Sequence, residues 1–185
     1  MRIVGGRNKG VTLTSLGRGD AGAHLRPTSD RVRENLFNTL LGGRYGDPVT
    51  EARVLDLFAG TGALSFEALS RGAAHATLVD NGRRAQALIR ANADRTGNEV
   101  TLLRVDATRL PANGDAPFNL IFLDPPYGKG LGAGALAAAQ TAGWLAEEAL
   151  VVWEENARQA APAGFALEDQ RRYGDTHVTI LRATT

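Results

Sequence analysis

The sequence predicts an α/β fold, with a mostly parallel sheet and helices on both faces, and three features support this prediction. Short apolar runs alternate with helical patterns from residue 53 onward, as expected where crossover helices join buried parallel strands. A glycine-containing turn, Gly60-Thr61-Gly62, separates the first run from the helical pattern that follows it. Acidic residues lie at or near the ends of four successive runs, at Asp56, Asp80, Asp106 and Asp124. Because ligands bind at the carboxyl ends of such strands, the same features also indicate a site.

The apolar runs and the helical patterns between them give the expected elements. Strands are predicted at residues 53–58, 76–80, 100–105, 119–124 and 149–154. Helices are predicted at residues 62–71, 83–96 and 131–142. The sequence FALEDQRRYGDTHVTILR predicts two more strands, joined at Tyr173-Gly174-Asp175 in an antiparallel hairpin. The expected sheet therefore has seven strands, and Trp144 and Trp153 are expected in its core.

The N-terminal residues predict a small extension of this sheet. Residues 1–14 alternate loosely about two glycine-containing pairs, which indicates a short β-hairpin. The sequence RPTSDRVRENLFNTLLGG then predicts a helix that ends at Gly42-Gly43, and the candidates for its N-cap are Thr28, Ser29 and Asp30. We expect residues 1–24 to form a basic hairpin extension and residues 25–185 to form the main domain.

Composition restricts the classes of protein to which the chain can belong. Its 185 residues, of which 43% are hydrophobic and 22% charged, suit one globular domain. Cysteine is absent and the three histidines are scattered, so no metal site is expected. No run of about eighteen apolar residues and no apolar leader is found, so we expect a cytoplasmic protein without a membrane span, and its small size favours a monomer.

Positive charge is concentrated at the N-terminal end of the chain. Residues 1–50 contain eight Arg or Lys and four Asp or Glu (8 − 4 = +4), whereas residues 51–185 contain thirteen and sixteen (13 − 16 = −3). Such a segment on a nearly neutral protein suggests a polyanionic partner. Arginine outnumbers lysine 19 to 2 throughout, however, so an unusual genome-wide composition could also explain these arginines.

The glycine turn and the acids around it are typical of a nucleotide cofactor site. Glycines allow close approach of the backbone, and a helix N-terminus offers unpaired N–H groups. Ser65 occupies the position of the third glycine in the dinucleotide pattern, which makes the match to NAD imperfect. Asp80, about twenty residues past the turn, suits ribose hydroxyls of either NAD or an adenosine cofactor. Each feature alone is also compatible with an ordinary strand-to-helix turn.

The fourth predicted strand runs into an unusual sequence, NLIFLDPPYGKG, at residues 119–130. Two prolines could serve only to stiffen the exit from the strand. They could also fix the Asp124 carboxylate and the Pro125 carbonyl so that each accepts a hydrogen bond from the same amino group. Tyr127 would then offer a face on which a base can stack.

Taken together, these motifs resemble those of class I S-adenosylmethionine-dependent methyltransferases that modify amino groups. The stretches LRPTSDRVRENLFNTL, DLFAGTGALSFEALSRGA and GWLAEEALV are similar to those of the RsmD family, which methylates the exocyclic N2 of a guanine in 16S rRNA. The resemblance covers nearly the whole chain. It implies a Rossmann-like class I methyltransferase fold, S-adenosylmethionine as cofactor, and 16S rRNA, within a 30S subunit or an assembly intermediate, as partner.

The resemblance also assigns roles to particular positions. It implies a catalytic centre at Asp124, Pro125, Pro126 and Tyr127. It implies a cofactor site formed by Thr28, Asp56, Phe58, Ala59, Gly60, Thr61, Gly62, Asp80, Asp106 and Ala107. Asp80 is shorter than the glutamate common in the family and is followed by Asn81-Gly82, so the ribose contact departs from the family pattern.

Basic residues supply the candidates for RNA contact: Arg2, Arg7, Lys9, Arg26, Arg31, Arg33 and Lys129. For Arg31 and Arg33 the alternative is a solvated helix with ion pairs to Asp30 or Glu34, and for Lys129 it is simple solvation. The alternatives for the whole protein are amino-methylation of adenine N6 in DNA or RNA or of a protein amide, a non-catalytic nucleic-acid-binding module, and an NAD-dependent oxidoreductase. The intact glycine turn and Asp124 disfavour the binding module, and the missing third glycine disfavours the oxidoreductase.

Overall fold

The computed structural model describes residues 1–15 and 28–184, and its main feature is one seven-stranded sheet. The strands are β1 (Arg53–Leu57), β2 (His75–Val79), β3 (Thr101–Leu103), β4 (Phe118–Leu123), β5 (Leu145–Glu155), β6 (Phe165–Tyr173) and β7 (Thr176–Ala183). Their order across the sheet is β3-β2-β1-β4-β5-β7-β6. The pairs among β1 to β5 are parallel, and β7 is antiparallel to both β5 and β6. The predicted fold class and the C-terminal hairpin are confirmed.

Four α-helices flank the sheet within the described ranges: α1 (Asp30–Leu40), α2 (Ala63–Ser70), α3 (Arg83–Thr96) and α4 (Leu131–Thr141). Of the three N-cap candidates for α1, the structure selects Ser29, whose Oγ accepts a hydrogen bond from the Val32 N–H at 3.2 Å. None of these helices is long and apolar enough to cross a membrane.

Two strands differ from the sequence-based expectation by more than one residue in length. β5 begins at Leu145 rather than at residue 149, because a bulge opposite β4 accommodates a partly exposed polar segment with Glu148 at φ 55°. β3 has three residues instead of six, and it lies at the edge of the sheet, where β2 is its one partner among the described strands. Both differences occur where exposed side chains obscure the apolar pattern.

Each face of the sheet has its own hydrophobic core. On one face, Val54, Leu120 and Phe122 belong to the cluster that includes the buried side chains of α1 and α2. On the other face, the strands pack against α4 and against two tryptophans, Trp144 and Trp153, which are 6% and 3% exposed. The predicted burial of both tryptophans is confirmed.

The N-terminal residues form the small antiparallel hairpin that the sequence predicts. Arg2 pairs with Thr12, and the Ile3 N–H donates to the Val11 carbonyl at 2.9 Å. Ile3 and Leu13 are buried in the same cluster as α1. The hairpin is therefore packed onto the sheet, and the boundary expected between residues 24 and 25 lies outside the described residues.

Candidate active site

The carboxyl ends of the parallel strands bring together the acids that the sequence singles out. Asp56 lies within β1, while Asp80 and Asp124 directly follow β2 and β4. β1 is paired with β2 on one side and with β4 on the other, so the three residues lie together at the carboxyl ends of the strands. The DPPY sequence and the glycine turn thus face the same space.

The glycine turn has a backbone in which three residues adopt positive φ. Gly60 and Gly62 have φ of 59° and 76°, and Phe58 between strand and turn has φ of 62°. The Gly62 N–H donates to the Ala59 carbonyl at 2.8 Å. A Cβ at Gly62 would lie 2.7 Å from Leu78 Cδ2, which is shorter than any tolerable contact. Glycine is needed at Gly62 both for its positive φ and for close packing against β2.

Asp80 fastens the glycine turn to the end of β2. Its Oδ2 accepts a hydrogen bond from the Gly60 N–H at 2.9 Å, and its Oδ1 accepts one from the Gly82 N–H at 2.8 Å. Burial raises the pKa of this carboxyl group, although both backbone hydrogen bonds oppose the change. A carboxylate has about four acceptor positions, so Asp80 retains capacity for hydroxyl donors.

Asp56 is almost fully buried behind the turn, with 2% of its surface exposed. Its Oδ2 accepts a hydrogen bond from Ser65 Oγ at 2.7 Å. Burial raises its pKa to about 7, and the nearby carboxyl groups of Asp80 and Glu154 act in the same direction. Ser65, which breaks the dinucleotide pattern in the sequence, therefore serves as the hydrogen-bond donor to this acid.

Asp124 is half-buried at the end of β4, next to the glycine turn. Its N–H donates to the Leu57 carbonyl at 3.4 Å, which holds the start of the DPPY loop against β1. Burial raises the pKa of Asp124 well above its ordinary value, and the negative groups of Glu154, Asp56 and Glu155 raise it further. Pro125 is buried, while Pro126 and Tyr127 are half-buried.

Two glutamates at the end of β5 belong to the site although the sequence analysis assigned them no role. Leu123 of β4 is paired with Trp153 of β5, so the next residues, Asp124 and Glu154, lie side by side at the carboxyl ends of these two strands. Glu154 is 1% exposed, its Oε2 accepts a hydrogen bond from Thr28 Oγ1 at 3.1 Å, and its Oε1 has no partner among the described residues. Burial raises its pKa to about 7.

Glu155 supports the DPPY loop from the same strand. Its Oε1 accepts hydrogen bonds from the Gly128 N–H at 3.2 Å and from the Asn156 N–H at 3.0 Å. The sequence signal for these residues was available, since an apolar run that ends in two acids is unusual at a buried position. Recognising it required the strand order that places β5 beside β4.

Asp106 has a more exposed setting than the other acids. It caps the short 3₁₀-helix Ala107–Arg109, and its Oδ1 accepts hydrogen bonds from the Thr108 N–H at 2.8 Å and from Thr108 Oγ1 at 2.7 Å. These hydrogen bonds lower its pKa. Ala107 is buried, whereas Asp106 is exposed at the edge where β3 ends.

The basic residues expected to contact RNA have different surroundings. Arg33 is fully buried, and it donates to Glu67, Asp30 and the Thr28 and Arg2 carbonyls. This burial disagrees with the RNA contact expected for Arg33, because its guanidinium is used inside the fold. The remaining candidates within the described residues, Arg2, Arg7, Lys9, Arg31 and Lys129, are exposed, and Arg26 lies outside them.

Two of the exposed candidates also have protein partners. Arg2 forms an ion pair with Asp30 at 3.7 Å, and Arg7 donates a hydrogen bond to Asn98 Oδ1. The N-terminal arginines are therefore tied to the fold more closely than the charge distribution suggested.

Comparison with known proteins gives consistent matches over nearly the full length. A family model described as "Conserved hypothetical protein 95" matches residues 1–182. "Ribosomal RNA small subunit methyltransferase D" of Escherichia coli K12 is 38% identical over 178 residues, which cover 94% of this chain and 85% of that protein. The protein of the same name from Haemophilus influenzae is 31% identical over 160 residues, which cover 83% and 78%.

Solved structures agree with these matches. The yhhF protein of Escherichia coli is 31% identical, with a TM-score of 0.80 over 100% of this chain and 98% of that one. A hypothetical protein of a Thermus species is 32% identical, with a TM-score of 0.74 over 97% of this chain and 98% of that one.

A mostly parallel sheet with a glycine turn after β1 and a DPPY loop after β4 defines a class I methyltransferase. The matches over almost the whole chain narrow this class further. The chain belongs to the RsmD family of methyltransferases.

Proposed function

We propose that this chain transfers a methyl group from S-adenosylmethionine to the exocyclic N2 amino group of a guanine in 16S rRNA. The observation that carries the proposal is the position of Asp124 and the DPPY loop beside the glycine turn. The substrate follows from the Escherichia coli relative, whose name states that it acts on the RNA of the small ribosomal subunit.

The residues around the glycine turn suit S-adenosylmethionine. Asp80 has acceptor capacity for the ribose hydroxyls. Asp106 and Ala107 lie after the neighbouring strand β3, where they would contact the adenine. The turn from Phe58 to Gly62, with Asp56 behind it, would hold the methionine part beside Asp124. Thr28 approaches from the other side through its hydrogen bond to Glu154. When bound, this cofactor supplies an electrophilic methyl group on a sulfonium sulfur.

The reaction needs the amino group of the base to be held and made nucleophilic. The Asp124 carboxylate and the Pro125 carbonyl each accept a hydrogen bond from one N–H of the amino group, and the prolines keep both oxygens in place. As the N–CH₃ bond forms and the S–CH₃ bond breaks, positive charge develops on the nitrogen. Asp124 stabilises this charge and accepts the proton that then leaves, so the methylated base is neutral. Tyr127 stacks on the base, which contributes about 1–3 kcal/mol.

The partner is 16S rRNA within a 30S subunit or an assembly intermediate, because a domain of this size has little surface with which to select one base. We propose that the enzyme acts as a monomer in the cytoplasm, where ribosomal subunits assemble.

The decisive experiment supplies the purified chain with labelled S-adenosylmethionine and one of three substrates: naked 16S rRNA, 30S particles or DNA. Digestion and chromatography then identify the modified nucleoside. We expect label in N2-methylguanosine from the ribosomal substrates. Label in N6-methyladenosine would replace this proposal with adenine methylation.

The Asp124→Ala variant separates chemistry from cofactor binding. Loss of the carboxylate removes an acceptor for the amino protons, so we expect the single-turnover rate to fall about 100-fold or more. Calorimetry should show affinity for S-adenosylmethionine within a few-fold of wild type. Asp175→Ala, at an exposed position in the β6–β7 turn, is the matched control and should retain the wild-type rate. Weak cofactor binding together with a preserved rate would contradict the role of Asp124.

A further inference from the structure

The exposed face of α3 is strongly basic and has no role in the site described above. The helix contains one acid, Asp94, and four arginines, at positions 83, 84, 90 and 95. All four arginines are exposed. By contrast, α1 contains two arginines and two acids, and one of its arginines is buried. Four exposed arginines with a single acid thus give α3 a strongly basic outer face.

The position of α3 connects this charge with the candidate active site. The helix begins three residues after Asp80, which fastens the glycine turn. Its fourteen residues extend about 20 Å away from that edge. Near its far end, Arg95 Nε donates to Thr14 Oγ1 at 2.9 Å, so the face continues onto the N-terminal hairpin.

The two sides of α3 differ sharply in character. Ala85, Leu88 and Ile89 are buried against the sheet. The exposed positions of the helix carry the arginines together with Ala87 and Asp94. A surface without large apolar side chains suits a solvated polyanion better than a membrane, which would require apolar anchors beside the charges.

Two features of the first turn of α3 lower the stability of the helix. Arg83 and Arg84 lie at its N-terminus, where the helix dipole is positive, and no acid is present there. The N-cap residue is Gly82, which provides no side-chain hydrogen bond. Two cations at this end oppose the dipole, so helix stability does not explain them.

We infer that the exposed face of α3 binds the phosphate backbone of the RNA substrate and directs the strand toward the DPPY loop. This inference rests on the proposed function, because it assigns a surface to the same RNA. Arg83 and Arg90 are two turns apart on one face of the helix, and neither has an ion-pair partner in the part of the chain that the structure describes. They are the residues through which the inference is best tested.

The test compares the double variant Arg83→Gln/Arg90→Gln with the control Arg158→Gln/Arg172→Gln. Both variants remove two positive charges, but Arg172 lies on β6 at the opposite edge of the sheet, and Arg158 follows β5. Binding of labelled 16S rRNA is measured between about 50 and 200 mM salt, together with methyl transfer, calorimetric cofactor affinity and thermal unfolding.

We expect the α3 variant to bind RNA roughly ten-fold more weakly near 0.1 M salt, with a slope of log K against log salt that is flatter by about 1.5. Its cofactor affinity should stay unchanged, and its melting temperature should equal or exceed that of wild type. The control should retain the wild-type slope.

The outcomes separate the two proposals. If wild type methylates 16S rRNA and the α3 variant retains wild-type RNA affinity and slope, the inference about α3 is wrong while the function stands. If wild type methylates no ribosomal substrate, the proposed function fails. Equal losses in both double variants would show a general effect of net charge and would overturn the assignment to α3. Binding of wild type, but not of the α3 variant, to anionic lipid vesicles without any effect on RNA would assign the face to membranes instead.

Discussion

Asp56, Asp124 and Glu154 place three carboxyl groups around one buried space, and this crowding controls their protonation. Each has a raised pKa, with burial as the largest cause. Thr28 opposes the effect at Glu154 through its hydroxyl group, and the positive charge of Arg33 also favours the charged form of this glutamate. The proton affinity of Asp124 therefore depends on residues from β1, β5 and the segment before α1.

This coupling predicts the acidic limb of the pH–rate profile. Asp124 must be unprotonated to accept the amino protons, so kcat should rise with pH through a pKa well above that of an ordinary aspartate. The Glu154→Gln variant removes one negative neighbour and should move this limb to lower pH. The measurement is kcat against pH at saturating cofactor and RNA. An unmoved limb would show that Glu154 does not influence Asp124.

Thr28 provides an independent test at the same location. Its hydroxyl group favours the charged form of Glu154, so Thr28→Val should raise the pKa of Glu154. The acidic limb of the pH–rate profile should then move to lower pH, because a protonated Glu154 no longer raises the pKa of Asp124. Thr28→Ser retains the hydroxyl group and should restore the wild-type profile. Equal profiles for the Val and Ser variants would show that the hydrogen bond has no electrostatic effect.

At the scale of elements, the turn between β1 and α2 depends on a glycine that is restricted in two ways. Gly62→Ala would introduce a Cβ at 2.7 Å from Leu78 Cδ2 into a backbone with φ of 76°. We expect a loss of about 3 kcal/mol in the free energy of unfolding, from strain and overpacking together. Gly97→Ala is the matched control, because Gly97 has φ of 65° but open space around it. Its cost should be about 1 kcal/mol, and equal costs in chemical denaturation would argue against the packing component.

A buried ion pair joins α1, α2 and the N-terminal hairpin. Glu67 is fully buried and accepts hydrogen bonds from the Val4 and Gly5 N–H groups as well as from Arg33 and Arg71. These donors come from separate parts of the chain. Glu67 thus fixes the hairpin against the helices that border the site.

Arg33→Ala tests whether Arg33 is a structural residue. The change leaves a buried carboxylate without one of its cationic partners, so we expect a loss of about 3–5 kcal/mol in the free energy of unfolding. Arg31→Ala, at an exposed position two residues earlier, should change it by less than about 0.5 kcal/mol. A stable Arg33→Ala protein with a specific defect in RNA affinity would contradict the structural role.

At the scale of the whole molecule, the raised pKa values make global stability depend on pH. Asp56 and Glu154, both with pKa of about 7, bind more protons when folded than when unfolded. Protonation of these two groups stabilises the folded state fully below about pH 4, and this stabilisation is lost as pH rises toward about 7. Carboxyl groups with lowered pKa, such as Asp30 and Asp169, lose their contribution only at acidic pH. The melting temperature should therefore be higher near pH 6 than at pH 8.

Asp56→Asn isolates one part of this dependence. Asparagine can still accept the hydrogen bond from Ser65 but cannot ionise, so the cost of a buried charge disappears at pH 8. That cost is on the order of 4 kcal/mol for a shift of the pKa from 3.8 to about 7. We expect the variant to be more stable than wild type at pH 8 and similar to it at pH 5, as measured by thermal unfolding. Equal destabilisation at both values would contradict the raised pKa.

The sequence predicted the sheet well because buried parallel strands leave apolar runs, and it predicted acids at strand ends because those acids interrupt the runs. Arg33 shows where such prediction fails: its spacing from Leu36, Phe37 and Leu40 places it on the buried face of α1, but the local sequence does not show which group pairs with its charge. Its environment depends on Glu67, which is 34 residues away along the chain. Glu154 was missed for a similar reason, because its role follows from the order of strands and from a contact with Thr28 that spans 126 residues.

The strand order also has a consequence for biosynthesis. β7 lies inside the sheet, between β5 and β6, although it is made after both. During translation β5 therefore has an unpaired side until β7 has emerged, and β5 carries the glutamates that border Asp124 and the DPPY loop. The strand that supports the DPPY loop therefore completes its pairing only after Thr176–Ala183 has been synthesised.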